Sequence, residues 1–143
     1  MKYEKVNFVD IKDKYLNVFM ANLTQQDMKE IYMEQFIWHA FSYEKVHCLE
    51  GADAIKEFKK QGKNEVYLFF QDNDDVIKME NLTYENLIKM IWNNEIPSDC
   101  YVVDVNFEWT FVYTHETASE EEAKGKRYYI GPFFKSIDIN YYK

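Results

Sequence analysis

The stretch YVVDVNFEWTFVYTHE, residues 101–116, decides how the rest of the chain is read. Its large apolar residues recur at every second position, the period of extended backbone whose side chains point alternately to opposite faces. With Cys100 it gives one strand, CYVVDVN, and after the short turn Asn106-Phe107-Glu108 a second, WTFVYTHE. Tyr101, Val103 and Val105 share one face of the first, and Val102, Asp104 and Asn106 the other. In the second, Trp109, Phe111, Tyr113 and His115 alternate with Thr110, Val112 and Thr114. One face is heavily aromatic and the other mixed. Helices packed on the aromatic face would leave Asp104, Thr110 and Thr114 on an exposed one.

Working outward, KRYYIGPFFK at 126–135 completes a meander behind the polar loop THETASEEEAKGKR. On the other side, EVYLFFQ at 65–71 is apolar on both faces and reads as a central strand. The tetrad Asp72-Asn73-Asp74-Asp75 turns the chain, and VIKME runs back. LTYENLIKMIWNNEIP is a helix capped by Thr83, with Tyr84, Leu87, Ile88 and Ile91 inward and Pro97 beyond its end.

The N-terminal part has helical spacing instead. DIKDKYLNVFMANL sets Ile11, Tyr15, Leu16 and Phe19 on one face, with Asp10 as cap. LTQQDMKEIYMEQFIWHAF has Thr24 as cap and Asp27 in capping-box position, with Met28, Ile31, Tyr32 and Phe36 following and the stripe running on to Trp38 or His39. SYEKVHCL reads as a short strand. EGADAIKEFKKQGK is a further helix with Ala52, Ile55 and Phe58 inward, stopped by Gly62. The expectation is an α+β fold, one domain over 1–143. N-terminal helices pack on a mostly antiparallel sheet of about five strands, with one helix inserted before the C-terminal meander.

A chain of 143 residues with 47% hydrophobic composition buries a sizeable core. Its twelve Tyr and eleven Phe exceed what that core needs, so some should lie at contact surfaces. The net charge is −8, and it is uneven: −1 over residues 1–71 and −7 over 72–143. That balance argues against nucleic acid, which wants clustered Lys and Arg, and suits a basic protein partner. No apolar run approaches the about 18 residues of a membrane span, and the start MKYEKVNFVD has no signal-peptide core, so cytoplasmic residence is expected. With two cysteines and no C-x-x-C, a structural zinc site is not expected, nor any cofactor.

Chemistry concentrates in FIWHAFSYEKVHCLEG, residues 36–51, which holds Trp38, His39, Ser42, Glu44, His47 and Cys48. No Gly-x-Ser-x-Gly elbow surrounds Ser42, and neighbouring His47 and Cys48 would diverge on a strand. No H-x-x-x-H or H-E-x-x-H spacing supports a metal. Counted from Asp72 as a calcium loop, the sixth residue is Ile77 and the twelfth Thr83, where Gly and Glu are required. The bland reading of the segment is the core-facing end of a helix. The catalytic candidates are therefore His39, Ser42, His115 and Glu116, which make an acid–base site only if the WHxFS segment meets the THE strand end. The candidates for a binding surface are Asp104, Trp109, Thr110, Thr114 and Tyr129.

Together, Trp38-His39-x-Phe41-Ser42-Tyr43-Glu44, the run from Val102 to Glu116, and Gly131-Pro132-x-Phe134 resemble a family of small proteins from low-GC Gram-positive bacteria whose domain has no assigned function. The resemblance runs from the Thr24 helix to Phe134. It implies size, bacterial origin and cytoplasmic residence, and brings no catalytic residues. Two functions follow as expectations. The first is a non-enzymatic binding protein, immunity- or antitoxin-like, that neutralises a basic partner. The alternative is a small-ligand-binding protein or enzyme built on the His/carboxylate candidates.

Overall fold

A computed structural model describes residues 3–5, 7–31, 33, 36–42, 46–61, 65–71, 73–115 and 127–131. Among them lie seven strands: β1 (Tyr3–Lys5), β2 (Leu49–Glu50), β3 (Glu65–Phe70), β4 (Val76–Glu80), β5 (Cys100–Asp104), β6 (Thr110–Tyr113) and β7 (Arg127–Ile130). They form one sheet in the order β1-β4-β3-β5-β6-β7-β2, with every pairing antiparallel. The helices are α1 (Phe8–Phe19), α2 (Gln25–Glu30), the single turn α3 (His39–Ser42), α4 (Gly51–Lys60) and α5 (Tyr84–Trp92). The fold is α+β with the N-terminal helices ahead of the sheet, as expected. The sheet has seven strands against about five expected. β1 pairs with β4 from a stretch that carries no strand signal of its own, and the short strand expected over SYEKVHCL is displaced to β2, which shares only Leu49 with it.

The larger difference is that the central strands β5, β6 and β7 are buried on both faces. Cys100, Val102, Trp109, Phe111, Tyr113 and Tyr129 pack with α4 and α5 on one side. Tyr101, Val103, Val112, Tyr128 and Ile130 pack with Tyr15, Phe19, Ile31, Ala40 and Phe41 from α1 to α3 on the other. Strands apolar on both faces must be covered on both, because each exposed Val, Leu or Phe forfeits about 1.5–3 kcal/mol of burial. Alternation in YVVDVNFEWTFVYTHE is real, but it sorts residues between two buried layers and not between core and water.

Local details follow the sequence with some corrections. The cap of α1 is Asn7, whose side-chain oxygen accepts the Asp10 amide at 3.1 Å; Asp10 itself sits in the first turn, where its charge suits the helix dipole. Both halves of the Thr24–Asp27 capping box are formed, at 3.0 and 2.9 Å. Thr83 caps α5, and Tyr84, Leu87, Ile88 and Ile91 are buried. In α4 the buried face is Gly51, Ala54, Ile55 and Phe58; Ala52 is exposed, one residue off that stripe. The expected stop at Gly62 lies outside the described residues, and Gln61 is the cap. No described helix is long and apolar enough to cross a membrane.

The helix expected to run from Thr24 to Phe41 ends at Glu30, with Ile31 as its cap. Tertiary hydrogen bonds replace its ladder. The Ile31 carbonyl accepts from the His39 ring at 2.6 Å. The amides of Ile37 and Trp38 donate out of the segment, to Gln71 Oε1 at 2.9 Å and the Tyr101 hydroxyl at 3.0 Å.

Three buried phenols rely on such bonds: Tyr101 donates to Gln71 Oε1, Tyr15 shares a 2.9 Å bond with Thr110, and Tyr129 accepts from Gln61 at 2.6 Å. Burial is the main cause that pushes all three above the ordinary 10.0. The unfolded chain restores the ordinary value, so folding stability is full below about pH 10 and declines as pH rises past it. In an alkaline titration, tyrosinate absorbance from these three should emerge only in the same step as loss of circular dichroism. Smooth ionisation of all the tyrosines in a protein that stays folded would contradict the burial.

Candidate functional site

Chemistry collects where β3 and β6 end and β5 and β7 begin. The register there sets Phe70, Cys100, Tyr113 and Arg127 side by side across the sheet. One residue further out, Asp99 caps the strand ends. Its carbonyl accepts the Gln71 amide at 3.3 Å, and its carboxylate accepts the His115 backbone amide at 2.9 Å. The same carboxylate lies 2.8 and 2.9 Å from His115 Nδ1. A carboxylate has only lone pairs to offer, so this contact puts the ring proton on Nδ1 and leaves Nε2 as the basic nitrogen of the neutral ring. The Asp99 side chain is 6% exposed and that of His115 47%.

The segment before α3 closes on this corner. Gln71 and Tyr101, from the ends of β3 and β5, hold the Ile37 and Trp38 amides and so fix the rings that follow. Phe36 and Trp38 stack at 4.9 Å. His39 lies against both, at 5.2 and 4.7 Å. His115 lies against the same two, at 5.4 and 5.8 Å. The two imidazoles, distant in sequence, therefore share one aromatic pair. His39 donates from Nδ1 to the Ile31 carbonyl, so both rings are held by the same nitrogen. Trp38 is 2% exposed, and its indole N–H has no acceptor among the described residues.

Behind the corner, the fully buried Arg127 lies 3.2 Å above the Tyr113 ring and donates from Nη1 to the Thr114 carbonyl at 3.3 Å. This contact steadies the strand end that carries His115. Cys100 is sealed in the core, and burial pushes its thiol well above the ordinary 9.0, outweighing the pull of Arg127. Among the described residues no group of three or more His, Cys, Asp and Glu is placed to hold a metal ion.

Of the residues expected from sequence, His39 and His115 thus come together. The Ser42 side chain and Glu116 lie outside what is described. The expected binding face is interior. Asp104, Trp109 and Tyr129 are at most 5% exposed, and Thr110 and Thr114 fully buried. Thr110 donates to the Val102 carbonyl at 2.7 Å. Trp109 packs near Phe58 and Tyr129. The Asp104 carboxylate accepts the Asn106 and Glu108 amides and shapes the turn, in which Phe107 has φ 56°. Beside that turn, at the far end of the sheet, lies a cavity of about 360 Å³ lined by Gln61, Glu65, Asp104, Asn106, Glu108 and Trp109. Asp99, Gln71 and Phe36 are the members of the His corner that sequence reading missed.

Comparison with known families matches residues 3–134 to one described as "Domain of unknown function (DUF4275)". The chain belongs to this family. The DUF4275 span runs from β1 past β7, so it contains both the histidine corner and the acidic cavity. No curated protein and no solved structure matches the chain.

Replacing Asp99 by Ala strips the acceptor from the His115 amide and ring. The Asp99→Ala protein should lose about 1–3 kcal/mol in urea unfolding. Ring ¹⁵N shifts of its neutral His115 should move away from the Nδ1-protonated form. A variant with unchanged midpoint and unchanged ring shifts would show that the carboxylate does not hold the ring.

Proposed function

We propose that this chain binds a small polar ligand at the histidine corner, with His115 as the group that exchanges a proton with it. One observation carries the reading. A nearly buried carboxylate is costly to keep away from water, and a strand-end cap would need only the backbone amide of His115. Asp99 also takes the ring, and that ring is half in water. Fixing the tautomer of an accessible imidazole is what a general base or ligand-binding histidine requires. His39 sets a second imidazole against the same aromatic pair. The same corner serves a binder, if the ligand leaves unchanged, or an enzyme, if the proton transfer is productive.

A thermal-shift and NMR screen of a fragment library against the intact chain tests it. A true ligand should perturb both imidazoles. His115→Gln and His39→Gln should each weaken it about tenfold or more while changing folding stability by no more than about 1 kcal/mol. A library without any binder at these rings, or binders indifferent to both substitutions, would remove the reading.

The acidic cavity supports a second reading, a cytoplasmic, immunity- or antitoxin-like protein that neutralises a basic partner. Glu65, Asp104 and Glu108 line a space large enough to admit a Lys or Arg side chain, with Trp109 as an aromatic wall. Pull-down from the host lysate should then recover a stoichiometric basic protein that is released by salt and lost with a Glu65→Gln/Glu108→Gln variant. Equal recovery by wild type and variant would exclude the cavity as the contact.

A further inference from the structure

We infer that the ligand of the histidine corner carries a carboxylate on an apolar body, and that the Trp38 indole N–H is the donor awaiting its oxygen. The inference rests on the reading of that corner as a binding site and adds the chemical class. Buried donors in folded proteins are almost always paired. The Trp38 N–H is buried and meets no acceptor among the described residues. The other tryptophans are placed differently: Trp92 is 62% exposed, and Trp109 lines the far cavity.

The acceptors around Trp38 are already engaged. The Tyr101 hydroxyl takes the Trp38 backbone amide and itself donates to Gln71. The Ile31 carbonyl takes the His39 ring, and the Asp99 carboxylate takes both donors of His115. Among the described residues none of these acceptors meets the Trp38 N–H. What the corner offers an incoming oxygen is the indole donor and the half-exposed His115 ring, anchored through Nδ1 and a further donor once protonated, with His39 on the same aromatic pair. Charge-assisted bonds of that kind favour an anion over a neutral carbonyl. The Asp99 charge is offset for an incoming anion once His115 carries its second proton, because the pair is then neutral overall. The partly exposed Phe36 ring, in contact with both imidazoles, supplies the wall for an apolar body. Phe36, His39 and His115, the rings packed against Trp38, are all at least partly exposed.

Benzoate is the probe, with benzyl alcohol to remove the charge and inorganic phosphate to remove the apolar body. In ¹H–¹⁵N spectra of the full chain the indole signals are assigned with Trp92→Phe and Trp109→Phe, which leave Trp38 in place. Benzoate should move the Trp38 indole signal and the rings of His39 and His115 together, with the alcohol and phosphate at least about tenfold weaker; Trp38→Phe should weaken benzoate by about tenfold or more. If that variant fails to fold, the wild-type indole shift decides alone. Three results overturn the inference. In one, benzoate leaves the Trp38 signal still. In another, a long-lived internal water contacts that N–H in the free protein. In the third, phosphate binds as well as benzoate. Each leaves the site reading standing, provided library fragments still perturb both imidazoles; loss of those fragments as well removes the site itself.

Discussion

Strand β5 buries all five of its residues, Cys100 and Val102 toward α4 and α5, Tyr101 and Val103 toward α1 and the segment around α3. A sheet whose middle has no polar face has to be roofed on both sides, and the chain order supplies the roofs. The N-terminal helices take one face, and α4 and α5, the latter inserted between β4 and β5, take the other. The consequence for function is geometric. Side chains along the strands are committed to packing, so polar groups with room to act can stand only where strands end. Both groupings of charged and aromatic residues described above lie at such ends.

The histidine corner also depends on a helix that stops early. Sequence between Thr24 and Phe41 has the propensity and stripe to continue. Continuing would satisfy the Ile37 and Trp38 amides locally and would point His39 along a helix face. Gln71 and Tyr101 instead accept those amides from the ends of two strands, and the His39 ring donates to the Ile31 carbonyl. Local helical preference amounts to a fraction of a kcal/mol per residue, which a few buried hydrogen bonds together with the burial of Ile37, Trp38, Ala40 and Phe41 readily exceed. With the helix ended, Ile37, Trp38, Ala40 and Phe41 still face the core, and Phe36 and Trp38 are set against His115.

This division explains what was legible beforehand. Caps such as Thr24 and Thr83, the stripe of α5 and the hairpins were readable because they depend on neighbours a few residues away. The covered second face was not, since Thr110 and Thr114 carry the same letters whether they meet water or, as Thr110 does, a Tyr15 hydroxyl. β1 was invisible for a similar reason: a three-residue strand is set by its partner β4 and not by its own pattern. Part of the corner could have been derived. Once Cys100 is paired with Tyr113 across the turn, the antiparallel register sets Asp99 opposite Thr114 and therefore beside His115. The arrival of Phe36, Trp38 and His39 at the same place depends on the broken helix, which no local signal announces.

Asp99 and Asp104 sit at the two ends of the same strand, and the comparison between them sharpens the functional argument. Both are nearly buried, at 4% and 5% exposure, and both accept backbone amides. For Asp104 the turn accounts for the bonds it accepts: its carboxylate accepts the amides of Asn106 and Glu108, and its carbonyl accepts the Phe107 amide at 2.7 Å. Its burial is explained by holding a tight connection in which Phe107 adopts a left-handed conformation. Asp99 does comparable work for the His115 amide, but its carboxylate also holds an imidazole that stands half in solvent and touches two aromatic rings from another part of the chain. Backbone closure explains one carboxylate of the pair. The other also holds a half-exposed imidazole, which closing a sheet does not require, and the proposal of a ligand site at the histidine end rests on that difference.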